Sequence, residues 1–119
     1  MRILHVEDDE DTRKLVEFIL HGKNWQVVSV ENATSAFKLA AAGEFDLYLI
    51  DNWIDGDTEN ALCRALRSVD TQTPIPFYSG AVFPADVASA LASGAQGYLE
   101  KPCTPEALVE EISKLGRRS

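Results

Sequence analysis

The 119-residue chain is poor in cysteine, in basic residues and in long apolar segments, and each shortage excludes a class of protein. Its two cysteines, Cys63 and Cys103, match no metal-binding or redox spacing, which favours reduced thiols in a cytoplasmic protein. No apolar run approaches the roughly 20 residues of a membrane-spanning helix, and the apolar start is too short for a signal peptide. Acidic residues outnumber basic ones by 19 to 11, and the net charge of −8 disfavours direct binding of nucleic acid or of an anionic membrane.

Glycine and proline are also scarce, at 7 and 5 residues, so nothing indicates a low-complexity or disordered segment. Hydrophobic residues make up 45% of the chain, an ordinary fraction for a globular protein. A chain of this length and content suits one domain with one core. We therefore expect residues 1–119 to form a single domain, with no output domain following it.

Short apolar runs alternate with amphipathic stretches along the whole chain. The apolar runs predict strands at Arg2–Val6, Trp25–Val30, Asp46–Ile50, Ile75–Ser79 and Gly97–Glu100. Apolar residues at helical spacing predict helices at Thr12–Leu20, Ala33–Ala42, Glu59–Val69, Ala85–Ser93 and Pro105–Leu115. Helix ends are predicted at Gly22, Gly43, Gly94 and Gly116, and Thr104 is a typical cap before a proline at the first helical position.

This alternation predicts an α/β fold of the (βα)5 type. Strands that are apolar on both sides are typical of a parallel sheet with helices on both faces. Right-handed crossovers and one reversal of chain direction give a doubly wound, flavodoxin-like five-stranded sheet of order 2-1-3-4-5. Ligands of such sheets bind outside the carboxyl ends of the strands, near the first and third strands.

Polar residues occupy the carboxyl ends of four predicted strands. Glu7 and Asp8 follow the first strand, Asp51 follows the third, Ser79 ends the fourth and Lys101 follows the fifth. Each residue alone has an ordinary explanation as a helix cap, a turn residue or a solvated charge. Their convergence on one edge of the sheet, where a ligand is expected, indicates a functional site.

The residue types at this edge favour phosphoryl chemistry. Three carboxylates brought together repel one another unless a cation or a raised pKa relieves them. Ligands that are all oxygen point to a hard cation, and a site with few carboxylates and room for water suits Mg²⁺. A carboxylate beside Mg²⁺, with a lysine and a hydroxyl opposite, can attack a phosphoryl group and form an aspartyl phosphate.

The motifs together resemble the receiver domains of bacterial two-component response regulators, over the whole chain. The resemblance is carried by "ILHVEDDEDTRKLV", "DLYLID", "PFYSGA" and "GYLEKPCTPEALVEEI", with 43 positions between Asp8 and Asp51 and 22 between Ser79 and Lys101. It implies a magnesium-dependent phosphorelay in which the domain takes a phosphoryl group from a histidine kinase or a histidine phosphotransfer protein. It also implies signalling to a downstream protein target or to an output domain on a longer chain. A receiver modifies only itself, so we do not expect an enzyme with a separate substrate.

The resemblance assigns the acceptor and the metal ligands. Asp51 is expected to be the phosphoacceptor and a magnesium ligand. Asp8 is expected to bind the metal directly, Glu7 mainly through water, and the backbone carbonyl of Trp53 completes the site. The resemblance also implies that Trp53 is at the rim of the site, where its indole is expected to exclude water and to slow self-dephosphorylation. The alternative is that Trp53 points to solvent or packs on the neighbouring loop, as an ordinary partner-binding residue does.

The resemblance also assigns the residues that respond to the phosphoryl group. Ser79 is expected to be the switch hydroxyl and Tyr98 the aromatic side chain that changes rotamer with it. Lys101 is expected to pair with phosphoryl oxygens, and the Lys101–Pro102 bond to be cis. The chain departs from the family pattern at His5, where an apolar residue is usual, and we expect a buried histidine there.

Three alternative functions fit the same residues less well. A degenerate receiver that acts as an unphosphorylated interaction module would not need the complete set of site residues. A flavodoxin-type cofactor binder would need a phosphate-binding loop after the first strand, where residues 7–11 are acidic. A phosphatase with an aspartate nucleophile usually has a second Asp two positions on, where this chain has Trp53.

Overall fold

The computed structural model describes residues 1–51, 59–80, 84–101 and 103–116, except for the side chains of Asp51, Glu59, Asn60, Ser79 and Asp86. The strands in this part of the chain are β1 (Arg2–Val6), β2 (Gln26–Val30), β3 (Leu47–Asp51), β4 (Pro76–Ser79) and β5 (Gly97–Glu100). The helices are α1 (Glu10–His21), α2 (Ala33–Ala42), α3 (Glu59–Val69), α4 (Pro84–Ala92) and α5 (Pro105–Gly116). The strands pair in parallel in the order β2-β1-β3-β4-β5, which confirms the predicted doubly wound (βα)5 sheet.

Apolar layers cover both faces of the sheet. Leu4 and Val6 of β1 belong to a cluster with side chains of α2, α3 and α4, whereas Ile3 packs with α1 and α5. Consecutive side chains of a strand point to opposite faces, so β1 contributes to both layers. Within the described residues, no helix has the length and apolar character needed to cross a membrane.

Side-chain caps set the starts of two helices. The Asp9 carboxylate accepts a hydrogen bond from the backbone N–H of Thr12 at 2.9 Å, so α1 begins at Glu10, two residues before the predicted start. The hydroxyl of Thr104 accepts a hydrogen bond from the N–H of Ala107 at 3.0 Å, which confirms the predicted cap of α5.

The glycines at the predicted helix ends differ in conformation. Gly94, after α4, has φ of +112°, a left-handed conformation that favours glycine. Gly22 ends α1 in a right-handed conformation, and Asn24, two residues later, has φ of +62° instead. α5 includes Gly116, the residue after the predicted range Pro105–Leu115 and the position at which the sequence predicts the end of the helix.

Candidate functional site

Strand register brings the acidic ends of β1 and β3 side by side. Val6, the last residue of β1, pairs with Ile50 of β3. Glu7 follows Val6 directly and Asp51 follows Ile50 directly, so both acidic residues occupy adjacent positions at the carboxyl edge. The backbone of Asp51 is the last residue of the central strand, which ends one residue later than the predicted strand Asp46–Ile50.

The hydroxyl and the lysine come from the next two strands. Ser79 is the last residue of β4 and pairs with Glu100, the last residue of β5. Lys101 follows Glu100 and lies at the same edge of the sheet. The carboxyl ends of β1, β3, β4 and β5 thus bring the predicted residues to one edge, as expected for a doubly wound sheet.

An ion pair closes one side of this edge. The ammonium Nζ of Lys101 lies 3.1 Å from Oε1 of Glu7, whose side chain is only 2% exposed. The other carboxylate oxygen of Glu7 accepts a hydrogen bond from the N–H of Asp9 at 3.3 Å. A buried carboxylate requires such partners, because its desolvation is otherwise costly. Both oxygens of Glu7 therefore have donors within the described residues.

Two residues that the sequence interpretation missed complete the surroundings of this ion pair. Nη1 of Arg13 donates a hydrogen bond to the backbone oxygen of Glu7 at 2.9 Å. The ammonium of Lys101 lies 4.9 Å from the centroid of the Tyr78 ring, a cation–π distance. The position of Arg13 one turn after the start of α1 is a signal that could have found it. Tyr78 carries no such signal, because an aromatic residue is common in a strand and nothing near it in the sequence marks it as a partner of Lys101.

His5 lies beneath this edge and is fully buried, which confirms the sequence prediction. Its Nδ1 is 3.4 Å from the hydroxyl of Ser29, and its Nε2 has no hydrogen-bond partner among the described residues. Burial, together with the positive charges of Lys101 and Arg13, lowers the pKa of His5 to about 3. The imidazole is therefore neutral at pH 7.

Tyr98, the expected switch aromatic, is half-buried on β5. Its ring centroid lies 6.1 Å from that of Phe77, the residue with which it pairs on β4. Trp53 and Pro102, like the side chain of Ser79, lie outside the described residues. The metal contact of Trp53, the cis bond and the switch hydroxyl therefore stay predictions.

The donors at the edge suit a hard cation. The side chain of Asp8 is exposed beside the buried Glu7, and both offer carboxylate oxygens, which are the ligands that Mg²⁺ prefers. The described side chains include no cluster of three or more His, Cys, Asp or Glu residues that could hold a metal ion. The side chain of Asp51 is not among those described. The residues present fit magnesium in their chemistry, and the complete ligand set stays a prediction.

The fold and this edge define a flavodoxin-like (βα)5 domain with an acidic site at the carboxyl ends of β1 and β3. The profile of the family described as "response regulator receiver domain" matches residues 3–113. The chain belongs to that family, which confirms the resemblance drawn from its motifs.

Known relatives agree with this assignment. The DNA-binding response regulators MtrA of Mycobacterium leprae and of Mycobacterium tuberculosis are 30% identical to the chain over 118 residues. The match covers 99% of this chain but 52% and 51% of those proteins, so the chain spans about half their length.

Solved structures are similar over nearly the whole chain. Chemotaxis response regulator CheY4 of Vibrio cholerae is 26% identical, with a TM-score of 0.90 over 96% of this chain and 97% of that one. The receiver domain of the sensor histidine kinase PA1611 of Pseudomonas aeruginosa, with a magnesium ion in its active-site cleft, has a TM-score of 0.90. That match covers 98% of this chain and 97% of the other at 22% identity, so it concerns the fold.

Proposed function

We propose that this receiver domain accepts a phosphoryl group on Asp51 from a phosphohistidine of a partner protein. A carboxylate oxygen of Asp51 attacks phosphorus and forms an acyl phosphate. The bond from phosphorus to the histidine nitrogen breaks, and its electron pair returns to the imidazole. The observation that carries the proposal is the ion pair of the buried Glu7 with Lys101, which sets an acidic and a basic group at the edge where β3 ends in Asp51.

Each residue at the edge has a distinct part in this proposal. Lys101 supplies a positive charge for the phosphoryl oxygens, whose charge must be neutralised during transfer. Asp8 and Asp51, with the carbonyl of Trp53, would hold magnesium, and Glu7 would contact it through water. When bound, magnesium neutralises charge on the transferring group and orients it.

The partners follow from the same chemistry. A histidine kinase or a histidine phosphotransfer protein supplies the phosphoryl group, and a downstream protein or an output domain on a longer chain receives the signal. The receiver carries out this chemistry on itself and has no separate substrate. We propose the cytoplasm as the compartment in which these exchanges with phosphohistidine proteins occur. A degenerate receiver is not favoured, because all five residues Glu7, Asp8, Asp51, Ser79 and Lys101 are present.

The test is phosphorylation by acetyl phosphate in the presence of magnesium, read by intact-protein mass spectrometry. We expect a single acid-labile, hydroxylamine-sensitive phosphoryl group on the unaltered protein, lost on chelation of magnesium. Asp51→Asn should abolish it, since the amide is not a nucleophile at neutral pH. Asp46→Asn is the matched control, because Asp46 lies near the opposite end of β3 and its oxygen accepts a hydrogen bond from the Arg2 backbone N–H.

The possible outcomes separate the competing functions. Undiminished labelling of Asp51→Asn would remove Asp51 from the role of nucleophile. No labelling of the unaltered protein with magnesium would favour the unphosphorylated interaction module instead.

A further inference from the structure

A second polar cluster lies at the opposite edge of the sheet from the phosphoryl site. We call Arg67, Gly94 and Gln96 the Arg67 clamp. Arg67 lies near the end of α3, and the other two residues belong to the turn between α4 and β5, residues 93–96. The clamp therefore joins α3 to the turn between α4 and β5. Gly94 and Gln96 follow Arg67 in the sequence by 27 and 29 residues.

The guanidinium of Arg67 is held in three directions. Its Nε donates to the backbone oxygen of Gly94 at 3.1 Å, and Nη1 donates to the backbone oxygen of Asp70 at 3.1 Å. Its Nη2 donates to Oε1 of Gln96. Arginine suits this arrangement because its donors are fixed in one plane, which lysine cannot reproduce.

The aliphatic part of Arg67 is also in close contact with the turn. A Cβ added at Gly94 would lie 2.7 Å from Cγ of Arg67, well inside van der Waals contact. The turn thus approaches α3 so closely at this point that only glycine fits there. Gly94 also has φ of +112°, so its conformation and its contact both call for glycine.

Gln96 carries the contact from the clamp into the sheet. Its Oε1, which accepts from Arg67, also accepts from the backbone N–H of Ile75 at 2.8 Å. Its own N–H donates to the oxygen of Ile75 at 3.1 Å. Gln96 is therefore hydrogen-bonded to both backbone groups of Ile75, the residue directly before β4. β5 begins at Gly97, the residue directly after Gln96. Tyr98 is the second residue of β5, two positions from the clamp.

We propose that Arg67 is a positioning residue that holds the α4–β5 turn, and with it Tyr98, in the resting arrangement of the domain. The inference rests on the proposed function in one respect, the role of Tyr98 in signalling. The mechanical part, the hold of Arg67 on the turn, stands on the contacts alone. Loss of Arg67 then loosens the turn and shifts the equilibrium between resting and signalling conformations without removing any group from the phosphoryl site.

Amide hydrogen exchange of the unphosphorylated protein tests the hold on the turn. Arg67→Ala should raise the exchange rates of the Ala95, Gln96 and Ile75 amides about tenfold or more, as expected when local opening becomes easier. The Glu7 amide, which donates to the Val30 oxygen on the far side of the sheet, should change much less. Arg64→Ala is the matched control, since Arg64 is an exposed arginine of the same helix.

Substitutions of Gln96 test the same hold from the other side. Gln96→Glu keeps an acceptor for both Arg67 and the Ile75 amide, so its exchange rates should stay close to those of the unaltered protein. Gln96→Leu removes that acceptor and should resemble Arg67→Ala. An equal rise of exchange at Glu7 and in the turn would show a general loss of stability and overturn the proposal, as would unchanged exchange in the turn.

The link to signalling is tested by NMR spectra of Tyr98. In unphosphorylated Arg67→Ala, its resonances should move part of the way toward those of the unaltered protein treated with acetyl phosphate and magnesium. Asp51 should be phosphorylated at least as readily in Arg67→Ala as in the unaltered protein, because coupling between phosphorylation and the signalling conformation is reciprocal. Tyr98 resonances that stay in place while the turn loosens would overturn the link to signalling. Failure of the unaltered protein to become phosphorylated would count against the proposed function alone, because the exchange rates still decide whether Arg67 holds the turn.

Discussion

His5 shows how one polar side chain can reduce stability inside an otherwise apolar strand. Ile3, Leu4 and Val6 of the same strand are fully buried apolar residues. The buried Nε2 of His5 has no partner among the described residues, and the contact of Nδ1 with Ser29 at 3.4 Å is long for a hydrogen bond. A buried polar atom without a partner costs about 1–3 kcal/mol of stability.

We therefore predict that His5→Val stabilises the domain, by about 1 kcal/mol once the lost ring contacts are subtracted. The measurement is the free energy of unfolding from urea titration at pH 7. Ser29→Ala is the control, because it removes only the long contact to Nδ1 and should change stability by less than about 0.5 kcal/mol. A clear loss of stability in His5→Val would show that Nε2 is satisfied in solution.

At the scale of single elements, caps decide where helices begin. α2 follows β2 after only two residues, and Asn32 caps it by accepting a hydrogen bond from the Ser35 N–H at 2.8 Å. The first turn of α2 carries no acidic residue, so no negative charge there adds to the stabilisation of the helix N-terminus by this cap.

Asn32→Ala should lower the free energy of unfolding by about 1 kcal/mol, the usual effect of losing an N-cap side chain. Thr34→Ala in the same turn is the matched control, because Thr34 is exposed and alanine has the higher helix propensity. Chemical denaturation of both variants should give opposite signs. Equal stabilities for Asn32→Ala and the unaltered protein would mean that water replaces the cap.

At the scale of the whole molecule, a partly buried polar network joins β3 to the connection between α3 and β4. The hydroxyl of Tyr48, a core residue that is 1% exposed, donates to Asp70 at 2.8 Å. Asp70 also accepts hydrogen bonds from the N–H groups of Gln72 and Thr73, each at 3.0 Å. Burial raises the pKa of Asp70, but the hydrogen bonds from Thr73, Gln72 and Tyr48 outweigh it and lower the pKa to about 2.

This shift predicts part of the acid sensitivity of the domain. The folded state binds a proton at Asp70 less tightly than the unfolded state, in which the pKa of Asp70 is 3.8. The stabilisation by ionised Asp70 is therefore present above pH 4 and disappears as the pH falls from about 4 to about 2. Asp70→Asn should be less stable at pH 7 and should lose less stability than the unaltered protein over that range.

Urea midpoints at pH 7, 4 and 2.5 measure this difference. Glu44→Gln serves as the control, since Glu44 is an exposed residue of a loop between α2 and β3. Identical pH profiles for Asp70→Asn and the unaltered protein would show that the network does not depend on the charge of Asp70.

The alternation of apolar runs and amphipathic stretches was sufficient to predict the fold. Buried strands and one-sided helices have different periods, and both can be read locally along the chain. The same alternation predicted which residues end the strands, so Glu7, Asp51, Ser79 and Lys101 could be assigned to one edge. Helix ends were less predictable, because caps such as Asp9 compete with propensity over one or two residues.

Tertiary structure alone decided which of these residues touch. Lys101 pairs with Glu7, 94 positions away, and no local pattern distinguishes that partner from other acidic residues at the edge. The close approach of Arg67 to Gly94 is likewise invisible in the sequence, which predicts only that a helix ends at Gly94. Periodicity encodes the secondary structure and the face of each residue, whereas pairwise contacts depend on how the helices pack across the finished sheet.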